Sequence, residues 1–214
     1  FGDSGPLVAS EGFLEDYLET HGRDWERYAW VKARAVTGEA TYAELYEAAV
    51  RPFVYRRYLD FGVFDSLRDM KAMIEREVAR RDMADHVKLG PGGIREIEFI
   101  IQAMQLIRGG QDRRLQTASL RTALPRLVGS RLLDQETVDE LDAAYVFLRR
   151  LENGLQMVAD CQTHTLPVDE LARERLALAL GFDGWHGLLG QLDLHRGNVM
   201  RHFQALLFAN APAV

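Results

Sequence analysis

Residues 88–102 read Lys-Leu-Gly-Pro-Gly-Gly-Ile-Arg-Glu-Ile-Glu-Phe-Ile-Ile-Gln, a chain break followed at once by charged residues at helical spacing. At 100° per residue, Arg95, Glu98, Gln102 and Gln105 share a stripe about 80° wide. Ile94 and Ile101 border that stripe on one side, Phe99 and Leu106 on the other. Polar groups bracketed by apolar ones predict a helix buried nearly all round, and a buried charge must be paired or hydrogen-bonded. Arg95 and Glu98 are therefore members either of a structural ion network or of an active site. Glu152 poses the same question. It falls inside the apolar arc of Val138, Leu141, Tyr145, Leu148, Leu151 and Leu155. Its cationic partner is either Arg95 from the other helix or, locally, Arg149, with Gln156 close by.

Other patterns are weaker. Gly90-Pro-Gly-Gly93 at a helix start could offer backbone N–H groups to a phosphate. No Lys-Ser/Thr pair follows as in a P-loop and no GxGxxG is present, so a tight helix-entry turn competes with that reading. Arg51-Pro-Phe-Val-Tyr-Arg-Arg-Tyr interleaves basic and aromatic residues as single-strand binders do, or lays arginine stems over a packed aromatic face. The six histidines form no HExxH or Cys/His pattern, and no metal site is expected. Phe1-Gly-Asp-Ser-Gly resembles a serine-protease loop, but no Ser/His/Asp order follows it.

The elements that must position these groups are helices. Helical period predicts Glu11–Thr20, a second helix from Asp24 toward Arg34, and a third behind a Thr41-x-x-Glu44 capping pair. Pro52 breaks or restarts the chain, and Ser66 with Asp69 reads as a further N-cap. Helices are then expected over about Gly93–Arg108, Thr117–Val128, Asp134–Asp160, Val168–Leu180 and Gly184–Phe208. Only Gly5–Ser10 reads as extended. The 214 residues, 47% apolar and 27% charged, can bury a full core and predict an all-α helical bundle. A net charge of −6 argues against nucleic acid as partner. One cysteine suits a reducing, cytoplasmic setting, and no apolar run is long enough for a membrane span. The start at Phe1 rather than Met suggests a piece of something longer.

The chain resembles the glutamine synthetase adenylyltransferase family, bifunctional enzymes that add AMP to glutamine synthetase and remove it. The resemblance rests on Phe1-Gly-Asp-Ser-Gly-Pro-Leu-Val, Gly22-Arg-Asp-Trp-Glu-Arg-Tyr-Ala, Lys32-Ala-Arg34 and Arg51-Pro-Phe-Val-Tyr-Arg-Arg-Tyr-Leu-Asp-Phe61. It continues in Lys88 to Phe99, Phe147-Leu-Arg-Arg-Leu-Glu-Asn153 and Gln162-Thr-His-Thr-Leu-Pro167. Gly-Gly-Ile-Arg-Glu-Ile-Glu-Phe is similar to the first half of such enzymes, the adenylyl-removing half, which uses phosphate to release AMP from a tyrosine as ADP.

The resemblance implies the end of a nucleotidyltransferase domain over residues 1–38. A helical domain shared with PII-uridylyltransferases then follows over 39–214. It implies Mg²⁺ and ATP, ADP or phosphate in the intact enzyme, with the metal-binding aspartates upstream of Phe1, so the fragment itself is expected to be inactive. Glutamine synthetase and a PII signalling protein are the implied partners. Arg95, Glu98 and Glu152 are the candidate catalytic residues; Lys32, Arg34, Gly92 and Gly93 are the candidate nucleotide or phosphate contacts. A competing expectation makes the domain a docking and regulatory module without catalytic residues. His164 stands where the family leads one to expect glutamine.

Overall fold

The helix predicted from residues 93–108 is the axis of the molecule, because its sequence leaves it little solvent face. The computed structural model describes residues 6, 8–56, 62–80 and 84–208. Ten α-helices are seen among them: α1 (Glu11–Thr20), α2 (Asp24–Trp30), α3 (Glu39–Leu45), α4 (Arg51–Val54), α5 (Gly62–Arg80), α6 (Ile94–Arg108), α7 (Leu120–Gly129), α8 (Gln135–Met157), α9 (Glu170–Ala179) and α10 (Trp185–Phe208). In α6, Ile94 and every residue from Ile97 to Leu106 are buried. Helices α2, α5, α7, α8 and α10 all pack against it. Among the described residues there is no strand, only a single antiparallel bridge between His86 and Thr165. Nor is any helix there long and apolar enough to cross a membrane.

Local chemistry explains where the helices start. Ser119, Asp134 and Asp169 accept from the N–H groups of Thr122, Thr137 and Ala172, capping α7, α8 and α9. Helix α6 has no side-chain cap. Its first amides reach back instead, Ile94 N–H to Val87 O (3.3 Å) and Arg95 N–H to Lys88 O (3.1 Å). That return is possible because Gly92 sits at φ +65°, where a Cβ would meet the Arg196 carbonyl oxygen at 2.4 Å. The glycine run is thus a tight helix entry seated on α10.

Three expectations shift. The helix from Asp24 stops at Trp30, and Lys32 and Ala33 continue as turns, which frees Lys32 to face α6. Helix α3 begins at Glu39 behind the left-handed Gly38, so Thr41 lies inside its first turn and does not cap it. Helix α5 runs through Ser66 without a start there. Pro52 restarts the helix, the second of the two readings: a π-helical turn, Tyr46–Val50, precedes it and Pro52 takes the first turn of α4. A proline has no N–H to donate back one turn, and the widened turn absorbs the missing bond. Of the extended segment Gly5–Ser10, Gly5 and Leu7 lie outside the described residues, and Ser10 is the extended N-cap of α1. Arg27, buried to 1%, donates from Nε and Nη2 to the Val54 carbonyl and ties α2 to α4.

Candidate functional site

Glu98 on α6 and Glu152 on α8 face each other's helices, and each keeps only 6% of its side chain exposed. Arg149 joins them. Its Nη2 donates to Glu98 Oε1 at 2.8 Å and its Nη1 to Glu152 Oε2 at 2.7 Å. Such a forked guanidinium contact holds both carboxylates in fixed geometry. Lys32 Nζ reaches the same Glu98 oxygen from the turn after α2, at 2.5 Å. The cations are not sealed in: 33% of Arg149 and 37% of Lys32 side-chain surface stays open. Buried acids thus hold a pair of half-open cations in place.

The network continues beyond Glu152. His164 Nδ1 stands 3.0 Å from Glu152 Oε1, a close approach that lacks hydrogen-bond geometry. The His164 ring stacks on His86, centroids 5.1 Å apart. His86 Nδ1 accepts from the N–H groups of Lys88 and Leu89 (3.2 and 3.1 Å), so this nitrogen carries no proton. Burial, then the charges of His164, Lys88 and Arg196, hold the His86 imidazole below its usual range, opposed by Glu152. Backbone bonds from Val87 N–H to His164 O and from Leu166 N–H to Asp85 O join the two loops.

Arg95 stands elsewhere. Phe99 lies about 40° round the helix from it in one direction and Glu98 about 60° in the other. The guanidinium lies over Phe99, 5.2 Å from the ring centroid. It lines an apolar cleft of about 230 Å³ with Lys71, Glu96, Met200 and Phe203, and makes no ion pair with the described residues. The cationic partner of Glu152 is therefore the local Arg149 and not Arg95; the network does cross to α6, but through Arg149 to Glu98. Gly92 N–H donates to Glu96 Oε2 (3.1 Å) and Gly93 N–H to Gly90 O (3.0 Å), which engages both amides internally. Arg34 is exposed at the edge of a separate tyrosine-lined cleft.

Sequence reasoning underweighted Arg149, whose i−3 spacing to Glu152 was legible but whose reach to Glu98 was not. It attached nothing to His86 and His164. Only the non-local bridge between their loops brings these two together.

A family model described as GlnD PII-uridylyltransferase matches residues 68–207, well over half of the chain. The chain belongs to the GlnD PII-uridylyltransferase family. A second model, described as Glutamate-ammonia ligase adenylyltransferase, matches residues 1–49. Over 209 residues, 98% of its length, the chain is 55% identical to the bifunctional glutamine synthetase adenylyltransferase/adenylyl-removing enzyme of Thioalkalivibrio sulfidiphilus (strain HL-EbGR7). It spans 22% of that relative's length. Glu98, Arg149, Glu152 and His164 lie in the PII-uridylyltransferase match and Lys32 in the adenylyltransferase match. The Lys32–Glu98 pair joins the two.

Proposed function

We propose that this chain is the helical part of the adenylyl-removing half of a glutamine synthetase adenylyltransferase/adenylyl-removing enzyme. Residues 1–38 are then the end of its nucleotidyltransferase domain and 39–214 its helical domain. The observation that carries the reading is the ion network across the seam between the two matched segments, with its acids inside and its cations half open. Such cations suit the phosphate that attacks, or the AMP that leaves, a glutamine synthetase tyrosine. Lys32 and Arg149 contact the anion; Glu98 and Glu152 position them. Arg95, one step round α6, contributes from its own cleft rather than from the network.

Both carboxylates face cations, so their chemistry is that of counterions and not of Mg²⁺ ligands. The Mg²⁺ of the intact enzyme is assigned to other segments. Phosphate-dependent ADP release from adenylylated glutamine synthetase tests the proposal, with this chain run beside one extended upstream. Activity confined to the longer chain is expected. Activity in the 214 residues alone would overturn the assignment.

A second reading, docking of glutamine synthetase or a PII protein, is favoured by an apolar surface at the end of α8 and the start of α9. Met157, Val158, Val168 and Leu171 are all more than half exposed there. Met157→Glu with Val168→Glu would then weaken complex formation while leaving the fold intact.

A further inference from the structure

The ion network leaves Arg95 without an acid, although α6 carries it one residue from Glu96. Arg95 is exposed, lies over the Phe99 ring at 5.2 Å and makes no ion pair with the described residues. In the same cleft Lys71 Nζ lies over the Phe203 ring, 4.4 Å from its centroid. The acids near Lys71 are loose company. Glu75 stands at 3.6 Å and Glu96 at 3.9 Å, both beyond hydrogen-bond reach. Glu96 turns instead to the helix entry, where its Oε2 accepts from Gly92 N–H at 3.1 Å. A guanidinium over a ring face still has its in-plane donors to give.

Three helices and a turn shape the space these cations overlook. Helix α5 contributes Val78, the turn before α6 Leu89, and α10 Met200 and Phe203, against Phe99 of α6. The floor is therefore apolar, and an unbranched methionine can repack around a guest. A volume of about 230 Å³ falls below the roughly 300–1,000 Å³ of drug-sized sites. It suits one ring or a short branched chain. Charge narrows the guest further. Arg95 and Lys71 already balance Glu75 and Glu96 at the cleft. One added negative charge can be met by Arg95, whereas a second would face the two carboxylates. A planar carboxylate also matches the guanidinium fork with two parallel bonds.

We propose that this cleft binds a small apolar monocarboxylate, its ring or chain against Phe99, Met200 and Phe203 and its carboxylate on Arg95. The site lies apart from the Glu98–Arg149 network and rests on no step of the proposed reaction. Its occupancy needs neither glutamine synthetase nor turnover, so failure here leaves the deadenylylation reading standing.

The test is a ¹H–¹⁵N chemical-shift titration of the 214-residue chain with 3-phenylpropionate, its uncharged amide, benzylsuccinate, acetate and inorganic phosphate. Saturable binding of 3-phenylpropionate is expected at roughly millimolar affinity, as befits so small a ligand. Its largest shifts should fall on Leu89, Arg95, Phe99 and Met200. The amide, which keeps the ring and loses the charge, should bind at least about tenfold more weakly, and so should acetate, which keeps only the charge. Benzylsuccinate, with its second carboxylate, should bind more weakly than 3-phenylpropionate. Arg95→Gln should weaken 3-phenylpropionate by about tenfold at an unchanged melting temperature, and Val78→Phe should block the cleft. Arg34→Gln, in the separate tyrosine-lined cleft, should change nothing. No saturable binding, an amide as tight as the acid, or affinity unaltered by Arg95→Gln would each overturn the proposal. So would phosphate or benzylsuccinate binding more tightly than 3-phenylpropionate, or shifts centred on Lys32 and Arg149.

Discussion

Near each end of helix α8 a glutamate meets an arginine and a histidine, and the burial of the acid and the arginine separates the two clusters. Near its end Glu152 meets Arg149 and His164; near its start Glu140 meets Arg201 and His202. Glu152 keeps 6% of its side chain exposed and Glu140 keeps 25%; Arg149 keeps 33% and Arg201 keeps 59%. Water can replace either partner at the exposed cluster, so its pairs are worth little. At the buried cluster a missing partner strands a desolvated charge. The cluster near the end of α8 is therefore committed to one arrangement, whereas the cluster near its start is a surface decoration of the same composition.

The comparison breaks most readily at the arginines. Arg149→Leu is expected to destabilise by about 3 kcal/mol or more, because Glu152 and Glu98 both lose a partner inside the core. Arg201→Leu should cost less than about 1 kcal/mol. Thermal melts of the two variants read the contrast, and equal shifts would erase it.

The loop that feeds His86 into the buried cluster can be broken separately. Gly92→Ala must place a Cβ at φ +65° and 2.4 Å from the Arg196 carbonyl oxygen. A loss of about 2–4 kcal/mol is expected from the left-handed penalty and the overpacking together. Gly190→Ala, with nothing within 4 Å of the new methyl group, should instead gain up to about 1 kcal/mol. Urea midpoints of the pair decide it, and a silent Gly92→Ala would show that the turn is not seated on α10.

A double-mutant cycle sharpens the same point. Arg149 with Glu98 should couple by about 1–3 kcal/mol, and Arg201 with Glu140 by less than about 0.5 kcal/mol. Coupling of similar size in both cycles would mean that burial does not govern these pairs.

The two clusters should also part by pH. The folded His86 pKa lies below the ordinary 6.5, so the folded protein favours the neutral ring. Its contribution is complete above about pH 6.5 and is lost as pH falls from there through the lowered folded value. Glu140 runs lower: burial pushes its carboxyl up, but bonds from His202 and Arg201 outweigh this and hold it below 4.5. Its contribution persists above the unfolded carboxylate range and fades as pH falls through the depressed value. Melting temperature against pH should flatten near and below pH 6.5 in His86→Gln and change only at lower pH in Glu140→Gln. A His86→Gln curve parallel to that of the unsubstituted chain would contradict the assignment.

Much of this was legible because helical period and burial speak the same language in α6 and α8. The bracketing of Glu98 by Ile94, Ile101, Phe99 and Leu106 announced a helix buried nearly all round, and Glu152 inside a leucine arc announced its acid. The end of α2 at Trp30 was not legible, since apolar spacing runs on toward Arg34 and the pairing of Lys32 with Glu98 beyond it is not local. Arg95 illustrates a subtler loss. Sequence puts it on the stripe with Glu98, but its long side chain is free to lean either way, and the flat face of Phe99 takes it. His86 and His164 are 78 positions apart, and no periodicity encodes a single bridge between two loops.

The most direct measurement is the phosphate dependence of ADP release by the full-length enzyme carrying Lys32→Gln. Under the proposed function Lys32 contacts the attacking phosphate, and its loss should then raise KM for phosphate, or lower kcat/KM, by about tenfold or more. The melting temperature should hardly move, because Glu98 keeps Arg149. Unchanged phosphate kinetics with a lowered melting temperature would make Lys32 a counterion of the core and the network a device of folding alone.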